Sequence, residues 1–276
     1  GLHVPRQTIG HARLSNTTSL FFGKSNLEFS LGFQQNSRKE FGDPLQEAVL
    51  GLGFLLNTWN YDVKFILPEN KGWQSTFGVT GMAQSSRNKG EEALVPAYNL
   101  FDAGAYGVLE RKFGKLNVSG GLRYDHRKVD AQALYFTEEG TLTEIPTEKV
   151  KFSGFNSGYG GVSGSMGGAY NFDHRFSAKL NVARGFRPPN IAESGSNGRH
   201  EGTIRYEIGD SKLKPEYSLQ TDLGLFINTR HLTTEISLFY NKIDHFIFAQ
   251  KLVGSSGGDS IADPTDPAPT FKFVQG

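Results

Sequence analysis

The stretch with the most chemical character is Arg184–Glu216, which reads RGFRPPNIAESGSNGRHEGTIRYEIGDSKLKPE. Arg184, Arg187, Arg199 and Arg205 give it a cationic bias that draws anionic groups. Glu193, Glu201, Glu207 and Asp210 lie in the same segment and could instead pair with those arginines internally, so both readings stay open at this point. Pro188-Pro189 remove two backbone donors and bar a strand from continuing. The segment is far longer than an ordinary connection, and long ordered loops on rigid strands often carry function. The chemistry it offers is binding, not catalysis. No nucleophile–base pair or carboxylate pair stands at an enzyme's spacing. No Lys-Ser/Thr ending follows the glycine-rich run 154–168, which excludes a phosphate loop. Asp259, Asp263 and Asp266 resemble a calcium set only superficially, because their proline-rich spacing fits a loop.

The segments flanking this loop alternate with period two, the signature of half-buried strands. Leu27, Phe29, Leu31 and Phe33 oppose Glu28, Ser30, Gly32 and Gln34. Trp59, Tyr61, Val63 and Phe65 oppose Asn60, Asp62, Lys64 and Ile66. Leu116–Asp125, Leu219–Asn228 and Leu232–Asn241 repeat the pattern. Strands are expected over 12–22, 27–35, 51–67, 73–87, 100–112, 116–130, 150–170, 176–186, 219–228 and 232–241, with a partial eleventh starting at Phe271–Val274. The muddled alternation of 100–112 suggests a bulge. Residues 36–48, 88–99 and 131–149 read as loops. Ser255–Thr270, mostly Gly, Ser, Asp and Pro, has too little apolar character to bury a core. His126 and His245, at strand tops, read as loop-packing residues. The glycines of 154–168 read as a strand that makes room for something in a lumen.

Connections alternate strictly between tight and long. In an up-and-down arrangement this puts the turns at Lys24, Asn70, Gly114, Asp173 and Arg230 at one end. Arg38, Asn88, Glu139 and His200 fall at the other. That asymmetry, with one apolar and one charged face, predicts an all-β fold: an antiparallel transmembrane β-barrel, here a partial barrel of ten to eleven strands. Phe29, Trp59, Tyr61, Phe77, Leu122, Leu225 and Leu238 would face lipid, and Glu28, Asp62, Arg123, Asp222 and Glu235 the lumen. A soluble β-sandwich ligand-binding module with the same faces buried, or a passive porin-like channel, are the alternatives. With 29 basic and 28 acidic residues among 276, a nucleic-acid partner gets no support. The chain has no cysteine, which excludes disulfides and thiolate metal sites.

GFRPPN, SNGRH and RYEIGDSKLKPE, in that order, resemble a signature of TonB-dependent outer-membrane receptors. GLRYD at 121–125 and KLNVARGFR at 179–187 extend the likeness over most of the chain. Pro188 stands where the family usually has alanine, and Gly209–Leu213 departs from its asparagine-proline pair. The resemblance implies a barrel of twenty-two strands in full, enclosing an N-terminal plug, in the outer membrane of a Gram-negative bacterium. Residues 1–276 would then be a fragment of the barrel domain, without plug domain or C-terminal strands. The implied function is active import of a scarce ligand, most often an iron complex such as a ferric siderophore or haem, with energy from TonB acting on the plug. The implied partners are that ligand, the chain's own plug, TonB and the membrane. No resident cofactor is implied. By the same resemblance His200 is a candidate metal ligand, since several haem-uptake receptors carry a histidine between these boxes. Arg187, Arg199 and Arg205 would join it as ligand-binding residues.

Overall fold

The computed structural model describes residues 5–42, 46–200, 205–255, 257–263 and 266–276. In chain order its elements begin with β1 (Arg6–Phe22), β2 (Ser25–Phe41), β3 (Leu52–Ile66), β4 (Trp73–Asn88), β5 (Tyr98–Phe113) and β6 (Leu116–Ala131). Three short strands follow, β7 (Leu134–Phe136), β8 (Leu142–Thr143) and β9 (Val150–Phe152), then β10 (Phe155–Asn171) and β11 (Phe176–Arg187). Next come α1 (Ile191–Gly195), β12 (Asn197–His200), β13 (Arg205–Ile208), β14 (Glu216–Asn228) and β15 (Thr233–Asp244). β16 (Ile247–Lys251), β17 (Ile261–Asp263) and β18 (Asp266–Gln275) close the chain.

Ten of these strands form one antiparallel meander in the order β1-β2-β3-β4-β5-β6-β10-β11-β14-β15. Each alternating segment has paired with the next, because period-two strands joined by tight turns satisfy their backbone locally. The tight turns joining β1–β2, β3–β4, β5–β6, β10–β11 and β14–β15 therefore all lie at one end, and the long connections at the other. Rungs such as Arg38–Phe54–Asn88 align the loop end. Among the described residues no second sheet covers the apolar face, so the sandwich alternative fails. This is an unclosed part of a barrel wall.

Register assigns the faces. The rung Phe29–Val63–Val79–Ala105–Tyr124–Val162 is outward and largely apolar. Leu122 and Leu238, on the same face, are 71% and 61% exposed, as a lipid-facing surface requires. The opposite face carries the charges: Glu28 pairs with Lys64 across its rung at 2.6 Å, and Arg127 with Asp102 at 2.6 Å. Asp62, Arg123, Asp222 and Glu235 share that face by alternation.

Several expectations need correction. β1 begins at Arg6 and β2 runs to Phe41, since their cross-strand ladder continues through the polar residues. β5 runs in register with both neighbours, without a bulge. Its alternation is muddled because both faces carry apolar residues: Ala103 and Ala105 outward, Leu100 inward beneath a loop. Residues 131–149 contain a small sheet, β8-β7-β9, to which Val150–Phe152 belongs. Gly154 separates that sheet from the wall, where a Cβ would come 2.8 Å from Ala133 N. The strand at Phe271–Val274 is part of β18, which joins β16 and β13 instead of an eleventh wall position. Within it Ala268 and Thr270 are 3% and 1% exposed, so the polar tail does bury residues, by pairing backbone rather than by massed apolar side chains.

The glycines of β10 make room for the wall's own side chains. A Cβ on Gly161 would sit 2.2 Å from the Phe186 ring, and one on Gly160 would sit 2.8 Å from the Tyr124 hydroxyl. His126 is exposed on the outward face of β6, not packed beneath a loop. His245 does serve a loop: in a left-handed conformation (φ 59°), its carbonyl accepts from Gln275 Nε2 at 3.1 Å.

Candidate functional site: the loop-end cap

Arg187, the last residue of β11, faces inward beyond the apolar belt. Pro188-Pro189 then end the strand, and Asn190 caps the one-turn helix α1. Its side chain accepts from Glu193 N at 2.9 Å, while Glu193 Oε2 accepts from Asn190 N at 2.8 Å, a reciprocal capping box. That box turns the buried Glu193 carboxylate toward Arg187, whose Nη1 donates to it at 2.9 Å. Arg187 Nε donates to Glu216 Oε2 at 2.6 Å, and Glu216 Oε1 accepts from Ile247 N at 2.6 Å. One guanidinium therefore ties together β11, α1, β14 and the start of β16. Its hydrogen bond to Glu216 raises the Arg187 pKa above the ordinary arginine value and holds the Glu216 carboxyl below the usual carboxylate value.

Beyond α1 the chain returns over itself. Gly209 N donates to Ser196 O at 2.7 Å and Asp210 N to Glu193 O at 2.9 Å. A side chain at Gly209 would come within 2.5 Å of Gly195 N, so glycine is required at that crossing. β12 and β13 pair antiparallel, β13 runs parallel to β18, and β18 pairs with β16. The other long connections lock onto this sheet. Asn197 N donates to Leu94 O at 3.0 Å, Asn197 Nδ2 to Lys151 O at 2.7 Å, and Tyr206 Oη to Asn197 Oδ1 at 2.8 Å. Glu92 N donates to Gly51 O at 2.9 Å. The result is a cap in which the loops after β2, β4, β6, β11 and β15 hold one another. Beneath it a cavity of about 140 Å³ separates Pro189–Ser194 from Met82, Leu100, Val129 and Tyr159 on the inner wall.

The structure brings the sequence-selected residues into this cap. Arg187 is engaged as described. Arg205 Nε donates to Glu207 Oε1 at 2.6 Å, and its guanidinium carbon lies 5.3 Å from the centre of the Phe271 ring. Arg199 is half-buried on β12, opposite Tyr206. His200 ends β12 opposite Arg205, and its side chain lies outside the described residues. Among the described residues no group of three or more metal-ligating side chains is gathered. Sequence reading missed Glu216 as the second partner of Arg187. It also missed the capping box, although the Asn190-x-x-Glu193 spacing carries that signal.

Comparison with known proteins places this architecture. The family described as "TonB dependent receptor-like, beta-barrel" matches residues 6–273. The chain belongs to that family. Barrels of TonB-dependent receptors are Gram-negative outer-membrane proteins, and the family comprises transporters and receptors, not enzymes. Among solved structures, the Serratia marcescens hemophore receptor HasR, a double mutant in complex with its hemophore HasA and heme, is similar with a TM-score of 0.69 and 14% identity. It is matched over 98% of this chain and 44% of its own. The copper transporter OprC gives a TM-score of 0.69 at 16% identity, over 97% of this chain and 42% of its own. The Bordetella pertussis alcaligin receptor FauA gives 0.58 at 17%, over 98% and 42%. At these identities the likeness is one of fold. The TonB-dependent receptor barrel described here spans less than half the length of those proteins.

Proposed function

We propose that this wall and its cap form the ligand-capturing mouth of an outer-membrane import receptor. Its cargo would be an iron complex, a ferric siderophore or haem, with transport energised through a plug domain and TonB. The observation that carries the reading is the interlocked cap. The long segments at one end are held together by the chain's own hydrogen bonds, which lowers the ordering cost of binding. Family membership supports a transport role, and HasR is described as a hemophore receptor in complex with its hemophore and heme, FauA as an alcaligin outer-membrane receptor and OprC as a copper transporter.

Within the cap, Arg199 and His200 on β12 are proposed to face cargo, with His200 as the metal-ligating group. Arg187 and Arg205, each already held by carboxylates, are proposed to contact an anionic ligand only through the guanidinium N–H donors that those ion pairs leave over. The test is binding of haem and of ferric siderophores to detergent-purified full-length receptor, normalised to folded protein. His200→Ala is expected to weaken cargo binding strongly, and Arg199→Ala to cause a smaller loss that shrinks as salt rises. Unchanged affinity in both variants for every ligand the wild type binds would remove β12 from the site.

A further inference from the structure

The outward face changes character at the loop-side border of the apolar belt. Tyr124 on β6 and Tyr240 on β15 are the last apolar or aromatic outward residues of their strands, while on β11 Val182 is followed by Arg184 and then by Phe186, the rung partner of Tyr217. Beyond them the first formally charged outward residue on each of these strands is basic: Lys128 (after His126), Arg184 and Lys242. β4 follows suit with Arg87. Asp130 and Asp244 come only further along β6 and β15.

Between β6 and β11 these groups converge. Arg184 Nη1 donates to Val162 O, which lays the guanidinium across β10, and its carbon sits 4.4 Å from the centre of the Tyr217 ring. On the adjoining rungs Gly160 and Gly158 face the same side and present no side chain. The Tyr124 hydroxyl lies 2.8 Å from where a Cβ of Gly160 would be, and His126 Nδ1 lies 3.8 Å from that point. His126 Cε1 is 3.8 Å from the corresponding point of Gly158, the rung partner of Lys128. Among the described residues no side-chain hydrogen bond or ion pair engages Tyr124, His126 or Lys128. Two cations, an imidazole and a hydroxyl donor thus line a shallow floor directly above lipid-facing Leu122, Val162, Leu180 and Val182, which are 71%, 46%, 53% and 42% exposed.

We propose that this patch binds the phosphate of a membrane lipid headgroup, with the acyl chains lying on the apolar belt below. A phosphate presents several acceptor oxygens to convergent donors and is attracted to guanidinium and ammonium groups. The position at the apolar border favours a phosphate carried by a lipid over one free in water. This site is on the opposite face of the wall from the proposed cargo mouth, so the two can fail separately.

The test uses full-length receptor in neutral detergent doped with phosphatidic acid or with the matching diacylglycerol. Native mass spectrometry counts the lipid retained per folded molecule. Phosphatidic acid is expected to be retained in preference to diacylglycerol. The triple variant His126→Gln, Lys128→Gln, Arg184→Gln should lose that preference by about tenfold, the scale of one or two charge-assisted hydrogen bonds. Lys128→Arg should keep it, and so should the lumen-facing control Lys112→Gln, with cargo affinity unchanged throughout. Equal retention of the two lipids, or a triple variant indistinguishable from wild type, overturns the proposal. Inorganic phosphate binding to lipid-free receptor with equal affinity and the same variant dependence would also overturn it, and would assign a soluble-anion site instead.

Discussion

At the scale of single residues, Arg187 decides whether the cap stays seated. Its head group serves two carboxylates from different elements, and the side chains of Glu193 and Glu216 are only 11% and 10% exposed. Glu216→Gln removes the charge that receives both Arg187 Nε and Ile247 N. It is expected to cost the docked loop about 1–3 kcal/mol, the usual range when a buried polar partner is lost. Hydrogen exchange of residues 190–198 should rise while that of the wall strands stays fixed. The pH dependence follows from the direction of the shift. A carboxyl held below its ordinary value contributes stability that is fully present above that value and is lost as pH falls through the lowered one. Loop protection should therefore be flat from about pH 8 to pH 5 and collapse only below about pH 4, the ordinary carboxylate range. A midpoint near pH 6 would show that another group controls docking. The sequence marked Arg187 and offered Glu193 as a partner. It hid Glu216, because that contact spans a loop whose path no local pattern encodes.

At the scale of elements, the wall was legible and the cap was not. Wall strands announce themselves by alternation, and each pairs with the next wall strand in sequence. The cap depends on strands of two to ten residues and on the parallel pairing of β13 with β18, whose partners Glu207 and Phe271 lie far apart in the chain. Such pairings are selected by tertiary context, not by propensity. β10 lies between these cases: its glycines looked weak for a strand, yet they are what lets larger neighbours fold across it. Gly161→Ala tests this. The added carbon would meet the Phe186 ring, and the cost is expected at about 1–3 kcal/mol, as for other overpacked sites. Adding Phe186→Ala should cost less than the sum of the two single changes, because the same collision is removed. Strict additivity in detergent unfolding experiments would mean that the two residues do not share that space.

At the scale of the whole molecule, the apolar belt should have the height of an outer membrane, and the only two tryptophans of this chain mark its borders. Trp73 begins β4 at the turn end, edge-on to Phe113 with ring centres 6.1 Å apart and with Arg111 over both rings. Trp59 stands toward the loop end against Phe33, 4.7 Å away, and its rung partner on β4 is Ala83. Ten residues of β4 separate Trp73 from Ala83, a rise of about 33 Å along an extended strand. With the ~40° tilt of barrel strands the vertical component is about 25 Å, the height of the apolar band of outer-membrane barrels. Aromatic girdles form at such borders because their rings suit the headgroup level. In full-length receptor with every other tryptophan replaced by phenylalanine, Trp59 and Trp73 are each expected to respond to brominated lipid. Bromines near the carbonyl end of the acyl chain should quench both more strongly than bromines near the terminal methyl. Quenching of either tryptophan mainly by aqueous acrylamide, with no response to brominated lipid, would contradict the outward assignment of this face. Strong quenching of both by the deepest bromines would instead contradict the height, because two residues about 25 Å apart along the membrane normal cannot both lie at the bilayer centre.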